Sequence, residues 1–331
     1  MSMNEAAIST DERRPMVGLG MPVYNGERFI GEAIRSILDQ SFGDFELTIC
    51  DNASTDATEQ ICRKFAAEDS RVRYFRNPAN IGAHPNFNLA FSRARGKYFK
   101  WVAHDDTLHP DYLRECVAGL EALHGAVQCQ SDLEFIDESS QTIGVVPWTL
   151  QGASSGDPVR RFGTMVLRSH NCYDIMGLFR HSVLAQVPLK SFHGADRTLL
   201  VKMASLGPFA HVHRPLIRVR DFSGRYTRAQ TRPSDRAKWH DTRSARRITL
   251  PHWQLYGTYW DVVREMDCGV FDKLRAVAIL FAWWFVHWNF AKMAVDLIAV
   301  VAPDAVGFAE RFKWRYISPA PGIDEVRRKS T

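Results

Sequence analysis

Apolar residues along the chain recur with two different periods. The continuous runs VGLGMPV (17–23), FELTIC (45–50), VRYF (72–75) and YFKWV (98–102) are short and bounded by polar turn residues, the pattern of buried strands. Between them the spacing becomes helical: Ile30, Ala33, Ile34, Ile37 and Leu38 fall at i, i+3, i+4, i+7 and i+8. Asp56 and Glu59 have the spacing of a capping box at the start of a second helix. A third helix is expected after Pro85. Pro110 stands where a fourth begins, with Leu113, Cys116, Val117, Leu120 and Leu123 along its apolar side.

Strand and helix alternating four times predicts parallel strands joined by crossover helices, a doubly wound α/β layer. Ligands of such sheets bind beyond the carboxyl ends of the strands. The residues there are Tyr24-Asn25-Gly26, Asp51-Asn52, Arg76-Asn77 and His104-Asp105-Asp106, so polar and acidic groups gather on one edge. After residue 125 the pattern changes. AVQCQ and LEFIDESSQTIGVV read as a strand and a hairpin, followed by a loop through Gly156, helical segments near 157–168 and 195–206, and extended stretches ending at Arg220. From 233 to about 315 the pattern is helical, and there is no internal repeat.

Composition narrows the class. With 45% hydrophobic and 24% charged residues over 331, the chain is ordinary globular protein, and a formal net charge of +5 is too mild to assert a nucleic-acid partner. Six scattered cysteines without a C-x-x-C pair argue against a zinc site and for reduced thiols in the cytoplasm. Residues 1–15, charged where a signal peptide would be apolar, are expected to be a flexible lead-in. The run AVAILFAWWFVHWNFA between Arg275 and Lys292 falls short of the roughly 20 residues of a membrane span. It suits a buried helix or one lying in a membrane interface, and the frequency of aromatic stripes in cores favours burial.

Neither G-x-G-x-x-G nor G-x-x-x-x-G-K-[ST] follows the first strand, which disfavours a dehydrogenase or a P-loop enzyme. The edge offers carboxylates instead. Asp105 and Asp106 at a strand end can hold a hard divalent cation that bridges a diphosphate, or else cap the next helix.

The segments PVYNGERFIGEAIRSILDQSFGDFELTICDNASTDAT and NIGAHPNFNLAFSRARGKYFKWVAHDD resemble the nucleotide-sugar-binding half of the family 2 inverting glycosyltransferases. The similarity runs from about Met16 to Leu123 and more faintly to Arg220. It implies a GT-A fold: a doubly wound, mainly parallel sheet flanked by helices, here with a helical C-terminal extension. Residues 16–228 would form the catalytic domain, with 16–125 the nucleotide-sugar half and 126–228 the acceptor half, and 229–331 a basic and then aromatic helical region.

By that resemblance Pro22, Val23, Tyr24 and Asn25 lie against the nucleoside, and Asp51 accepts a hydrogen bond from the base, unless it serves an Asx turn. Asn80 and Gly82 match an Asn-x-Gly segment that lets backbone approach the ligand. The family's Asp-x-Asp falls on Ala103, His104 and Asp105, so the first acid is missing. Asp105 becomes the first choice of ligand for Mg²⁺ or Mn²⁺ and Asp106 the second, with His104 a nucleotide-sugar contact or a spacer. Asp196, in SFHGADRTLLVKMASLG, matches the base that deprotonates the acceptor; the alternative is an acid favoured by a helix N-terminus. In CYDIMGLFRHSVL, similar to the family's acceptor-side segment, Gly177 and Arg180 stand out. Phe222 stands where the family often has a histidine over the diphosphate, and Arg220 and Arg225 are the substitute phosphate partners.

The function implied is inverting transfer of a hexose from a nucleoside-diphosphate sugar to a saccharide or lipid-linked saccharide, in surface polysaccharide or glycolipid synthesis. A polyprenyl-phosphate acceptor and a non-catalytic nucleotide-sugar binder are the competing readings. Charge is uneven. Between Arg214 and Arg247 there are eleven Lys+Arg against three Asp, a local excess of +8 that leaves the rest of the chain at −3. The partners suited to that segment are a diphosphate or an anionic membrane surface, consistent with a cytoplasmic protein peripheral to the inner face of the membrane; a solvated basic helix face is the alternative.

Overall fold

A computed structural model describes residues 14–190, 194–222 and 250–301. Arg225, most of the basic segment and the stretch 302–315 lie outside the described residues.

The four expected strands are β1 (Val17–Val23), β2 (Phe45–Asp51), β3 (Val72–Arg76) and β4 (Tyr98–Trp101), with helices α1 (Ile30–Leu38), α2 (Thr58–Glu68) and α3 (Ala83–Arg93) between them. β1, β2 and β4 are buried along their whole length, as their unbroken apolar runs require, while β3 at the edge is half-exposed. Two-residue β5 (Thr107–Leu108) precedes α4 (Tyr112–Ala122). Beyond it come β6 (Gln128–Ile136), β7 (Thr142–Val146), α5 (Pro158–Leu167), β8 (Leu178–Arg180), the single turn α6 (His181–Leu184), α7 (Ala195–Leu206) and β9 (Phe209–Arg220). The region expected as a strand plus a hairpin is thus one nine-residue strand, β6, turning back through β7.

All nine strands form one sheet in the order β3-β2-β1-β4-β8-β6-β9-β5, with β7 on β6. β1 to β4, β6 and β9 share a direction, while β8, β5 and β7 run against them. The mainly parallel, helix-flanked α/β layer read from the sequence is therefore present. One face is filled by α1 and α4 around Leu19, Ile34 and Leu113, the other by α3, α5 and α7 around Phe99, Phe162 and Leu200. All six cysteines are unpaired.

Three C-terminal helices, α8 (Pro251–Glu265), α9 (Val270–Phe285) and α10 (Asn289–Val301), close over α5 and α7. The aromatic run corrects the expectation of burial. It spans α9 and α10 with a kink at His287, whose φ is 53°. Ala276, Leu280, Trp283 and Met293 join the core, but Phe281 is 68% exposed, Phe285 64% and Trp288 63%. Only one stripe of this helical pair has a protein neighbour among the described residues.

Candidate active site at the carboxyl edge of the sheet

Register brings the strand ends together. Val23 pairs with Asp51 and Asp51 with Arg76, while β4 joins β1 on its other side. The loops after β1 and β2 are laced to each other: Asn25 N–H donates to Ser54 Oγ (2.9 Å), Thr55 N–H to Asn25 Oδ1 (2.9 Å), and Gly26 N–H to Thr58 Oγ1 (2.8 Å). Asp56 and Glu59 do not make the expected capping box. Asp56 accepts from Glu27 N–H and Thr58, the Glu27 carboxylate accepts from Ala57 N–H, and Glu59 is drawn away to Arg63 and Arg76. A side chain from the neighbouring loop replaces the local cap.

This lacing decides which of the expected nucleoside contacts have free surface. Pro22 and Val23 are buried in β1, and Asn25 spends its amide oxygen on Thr55. Tyr24 is 46% exposed, an aromatic face at the sheet edge. Asp51 is fully buried: one oxygen accepts from Ser54 N–H (2.9 Å), the Asx turn set out as its alternative role, and the other from Tyr74 Oη–H (2.6 Å), with Arg76 at 3.5 Å. Burial, and then the bond to Asp51, push the Tyr74 phenol well above its ordinary range.

Asn80 and Gly82 belong to a web of amides. Asn52 Nδ2 donates to Asn80 Oδ1 (2.9 Å) and Gly82 O (3.2 Å); Asn77 Nδ2 donates to Asn52 Oδ1 (3.1 Å) and Asn86 Oδ1 (3.0 Å). Asn86 Nδ2 closes the web on Cys50 O (2.8 Å). Gly82, with φ 90°, makes the left-handed turn into α3 that a side chain would strain. Asn52 and Asn77 were visible as strand-end residues without an assigned role; Asn86, inside a helix, had no signal beyond its polarity on a buried face.

After β4 the three polar residues separate. A Cβ on Gly26 would come within 2.7 Å of His104 Cδ2, so glycine there lets the imidazole rest on the β1–α1 turn. Asp105 is half-buried, and among the described residues no side-chain partner takes up its carboxylate, while its carbonyl accepts from Arg220 Nε (2.9 Å). Asp106, expected as the second cation ligand, turns inward. It is 8% exposed, accepts Arg220 N–H (2.9 Å), and faces the buried Lys100, whose ammonium burial pushes down to about 7. This geometry favours Asp105 over Asp106 as a ligand.

Arg220 corrects the expectation of a diphosphate contact. Its side chain is fully buried; besides Asp105 O it reaches Asp137 O (3.0 Å), Ser140 Oγ (3.0 Å) and Glu32 Oε2 (2.7 Å), with its guanidinium 4.5 Å from the Phe29 ring centre. Phe222 packs edge-on to that ring at 5.1 Å. The fork that would clamp a phosphate instead pins the loop carrying Asp105.

In the half expected to face the acceptor, Asp196 occupies the first turn of α7, half-buried, with Oδ1 accepting its neighbour Arg197 N–H (2.8 Å). Burial, then the charge of Asp196, push the nearby Cys172 thiol well up. Gly177 is a packing requirement, since a Cβ would collide with Gln128 Nε2, and Arg180 serves structure through Ala126 O (3.0 Å).

A divalent cation implied by the resemblance meets a sparse donor set: no group of three or more His, Cys, Asp or Glu capable of holding a metal occurs among the described residues. The free Asp105 carboxylate nevertheless suits Mg²⁺ or Mn²⁺ held mainly by substrate phosphates and water, since Mg²⁺ commonly takes one or two carboxylates.

A sequence profile for Glycosyl transferase family 2 matches residues 19–187. The putative glycosyltransferase EpsE of Bacillus subtilis is 40% identical over 108 residues, covering 32% of this chain and 39% of EpsE. The putative teichuronic acid biosynthesis glycosyltransferase TuaG of the same organism is 30% identical over 149 residues, 45% of this chain and 52% of TuaG. The chain thus spans about half or less of the length of these relatives. The crystal structure of Staphylococcus aureus TarS 1–349 in complex with UDP-GlcNAc superposes with a TM-score of 0.62 at 16% identity, covering 83% of this chain and 73% of that one, a likeness of fold.

Proposed function

Because the chain belongs to glycosyltransferase family 2, we propose that it moves a hexose from a nucleoside-diphosphate sugar to an acceptor hydroxyl with inversion, in the synthesis of a surface polysaccharide or glycolipid. The observation that carries this is the free carboxylate of Asp105 at the sheet's carboxyl edge, its main chain held by a buried arginine. Tyr24 lines the nucleoside side, and Asn80 with Gly82 shapes the adjoining backbone. Asp196 takes the acceptor hydroxyl's proton as its oxygen bonds the anomeric carbon and the nucleoside diphosphate leaves from the opposite face, so no enzyme-bound sugar is needed. A bound Mg²⁺ or Mn²⁺ would supply charge neutralisation at the departing diphosphate, with Asp105 as its protein ligand. That TarS was solved with UDP-GlcNAc and that TuaG carries a teichuronic acid name supports a nucleotide-sugar donor and a polysaccharide product. Asp105→Asn should abolish donor hydrolysis, and Asp196→Asn should bind donor but not transfer; a chain that binds donor yet never releases nucleoside diphosphate is the non-catalytic binder.

We also propose a cytoplasmic protein lying on the membrane's inner face, a reading supported by the C-terminal helices α9 and α10. By length and composition Val270–Ile298 could cross a bilayer, but its kink at His287 and its buried stripe suit a helix pair lying in the surface. Phe271, Phe281, Phe285 and Trp288 are exposed, and residues 223–249, on the far side of α8 in sequence, hold eight Lys+Arg against two Asp. A chain that carries exposed aromatic rings and, elsewhere in its sequence, concentrated positive charge suits an anionic lipid surface, which would bring a lipid-linked saccharide within reach.

A further inference from the structure

A cavity of about 80 Å³ lies on the acceptor side, walled by Gln130, Phe135, Trp148, His170, Tyr173 and Asp174. It belongs to the same half of the chain as Asp196. Cys129 of β6 pairs with Leu178 of β8, Phe99 of β4 with Phe179, and Met176, just before β8, lines a small void with Ala103 and Asp106. Cys172, within the field of Asp196, sits two residues from both His170 and Asp174.

Beside the hydroxyls and amide of Ser131, Thr149, Ser169, Asn171 and Tyr173, the cavity is lined by three buried acceptors with capacity to spare. Asp174, 4% exposed, accepts Trp148 Nε1–H at 2.6 Å, one of several lone-pair sites its carboxylate offers. Gln130, 1% exposed, has its amide oxygen buried without a partner. His170, 8% exposed, lies 3.2 Å from Met165 O through Nε2, which therefore carries the proton; its unpartnered Nδ1 is an acceptor. Among the described residues, no lysine or arginine lines the space. Buried acceptors without donors are unfavourable. A ligand rich in hydroxyls relieves them, whereas a phosphate, itself an acceptor beside a carboxylate, makes matters worse. At roughly 10–15 Å³ per water site the space exceeds what one or two bridging waters need, and Phe135, Trp148 and Tyr173 offer aromatic walls to a sugar ring.

We propose that this cavity receives a neutral pyranose residue of the acceptor, its hydroxyls donating to Asp174, Gln130 and His170, so that the acceptor is an uncharged saccharide at this point and not a lipid phosphate. The word acceptor rests on the transfer reading above; the binding itself does not.

The test is ligand-observed NMR on the full chain with methyl pyranosides of glucose, galactose, mannose and N-acetylglucosamine, alongside glycerol 3-phosphate. At least one pyranoside should bind in the millimolar range. Asp174→Asn should weaken it roughly tenfold to a hundredfold, the effect of losing a hydrogen bond to a charged group. Thr149→Trp, at the exposed rim, should block binding without altering thermal unfolding. Glycerol 3-phosphate should not compete. No bound pyranoside, a cavity that takes water only, binding indifferent to both substitutions, or preference for glycerol 3-phosphate overturns the proposal. Pyranoside binding without donor turnover sinks the transfer reading and leaves the pocket standing; Asp105-dependent turnover without pyranoside binding does the reverse.

Discussion

Asp174→Asn should make the protein more stable, increasingly so as pH rises. Burial pushes the Asp174 carboxyl from 3.8 to about 6, outweighing the bond from Trp148 that lowers it. Below pH 3.8 the carboxyl is protonated folded and unfolded alike and contributes no difference. Between 3.8 and about 6 the folded state holds a proton the unfolded state has released, so stability falls as pH rises, and above 6 the whole penalty stands. At 1.36 kcal/mol for each factor of ten in proton affinity, the penalty is roughly 3 kcal/mol. Asparagine does not ionise, and its Oδ1 accepts from Trp148 much as the protonated carboxyl does, so the gain at pH 7.5 approaches the same ~3 kcal/mol. His170 gives the opposite slope, because burial first and then the Arg197 charge push it down to about 3; that slope is common to both proteins and cancels in the comparison. Urea unfolding followed by tryptophan fluorescence at pH 4, 5, 6 and 7.5 should show the gap opening from near zero to a midpoint shift on the order of 1 M. A gap independent of pH, or a variant less stable at pH 7.5, refutes the reasoning. If the same substitution weakens pyranoside binding, Asp174 is retained at a cost to stability for the sake of the ligand.

Asp196→Asn should lower the transfer rate about a hundred- to ten-thousand-fold with donor affinity unchanged, measured by nucleoside diphosphate release with and without acceptor. Asp105→Asn should remove the cation dependence of donor binding in calorimetry; titrations that match wild type would eliminate the proposed ligand. Arg220→Gln should cost about 2–3 kcal/mol in thermal or urea unfolding, since it removes the guanidinium's bonds to the carbonyls of Asp105 and Asp137 and to Glu32; a loss below 1 kcal/mol would mean those bonds are dispensable. The pair Phe281→Glu and Phe285→Glu should abolish co-sedimentation with vesicles containing anionic lipid and leave unfolding unchanged, both rings being mostly exposed; binding that survives places the contact elsewhere.

How much of this was legible in the chain depended on how local its cause was. β1 falls on the expected residues because seven consecutive buried positions leave an unbroken apolar run. β5 and β8, two and three residues long, are too short to show a period and exist only because β9, β4 and β6 pair with them. The capping spacing of Asp56 and Glu59 is real, but Glu27 arrives from another loop and wins. The motif order located Asp105, and nothing near Asp106 in sequence foretold its inward turn. Arg220 was noticed as a cation near the site, yet its burial depends on Glu32, 188 positions away. The aromatic run was ambiguous by composition; only the packing of α9 on α5 shows which rings face out.

Arg220 also sets an order of events. Its side-chain partners lie 80, 83, 115 and 188 positions upstream, so the strap on the Asp105 loop cannot close until the last residue of β9 has been synthesised. During translation the first four strands can pair as they emerge, because their contacts are comparatively close in sequence, while the edge that carries Asp105 stays open for the further hundred or so residues of elongation. The first four strands are therefore expected to exist for several seconds of synthesis as a folded sheet with an unfinished rim, and under the proposed function competence to hold donor should appear abruptly as a nascent chain is lengthened past residue 220.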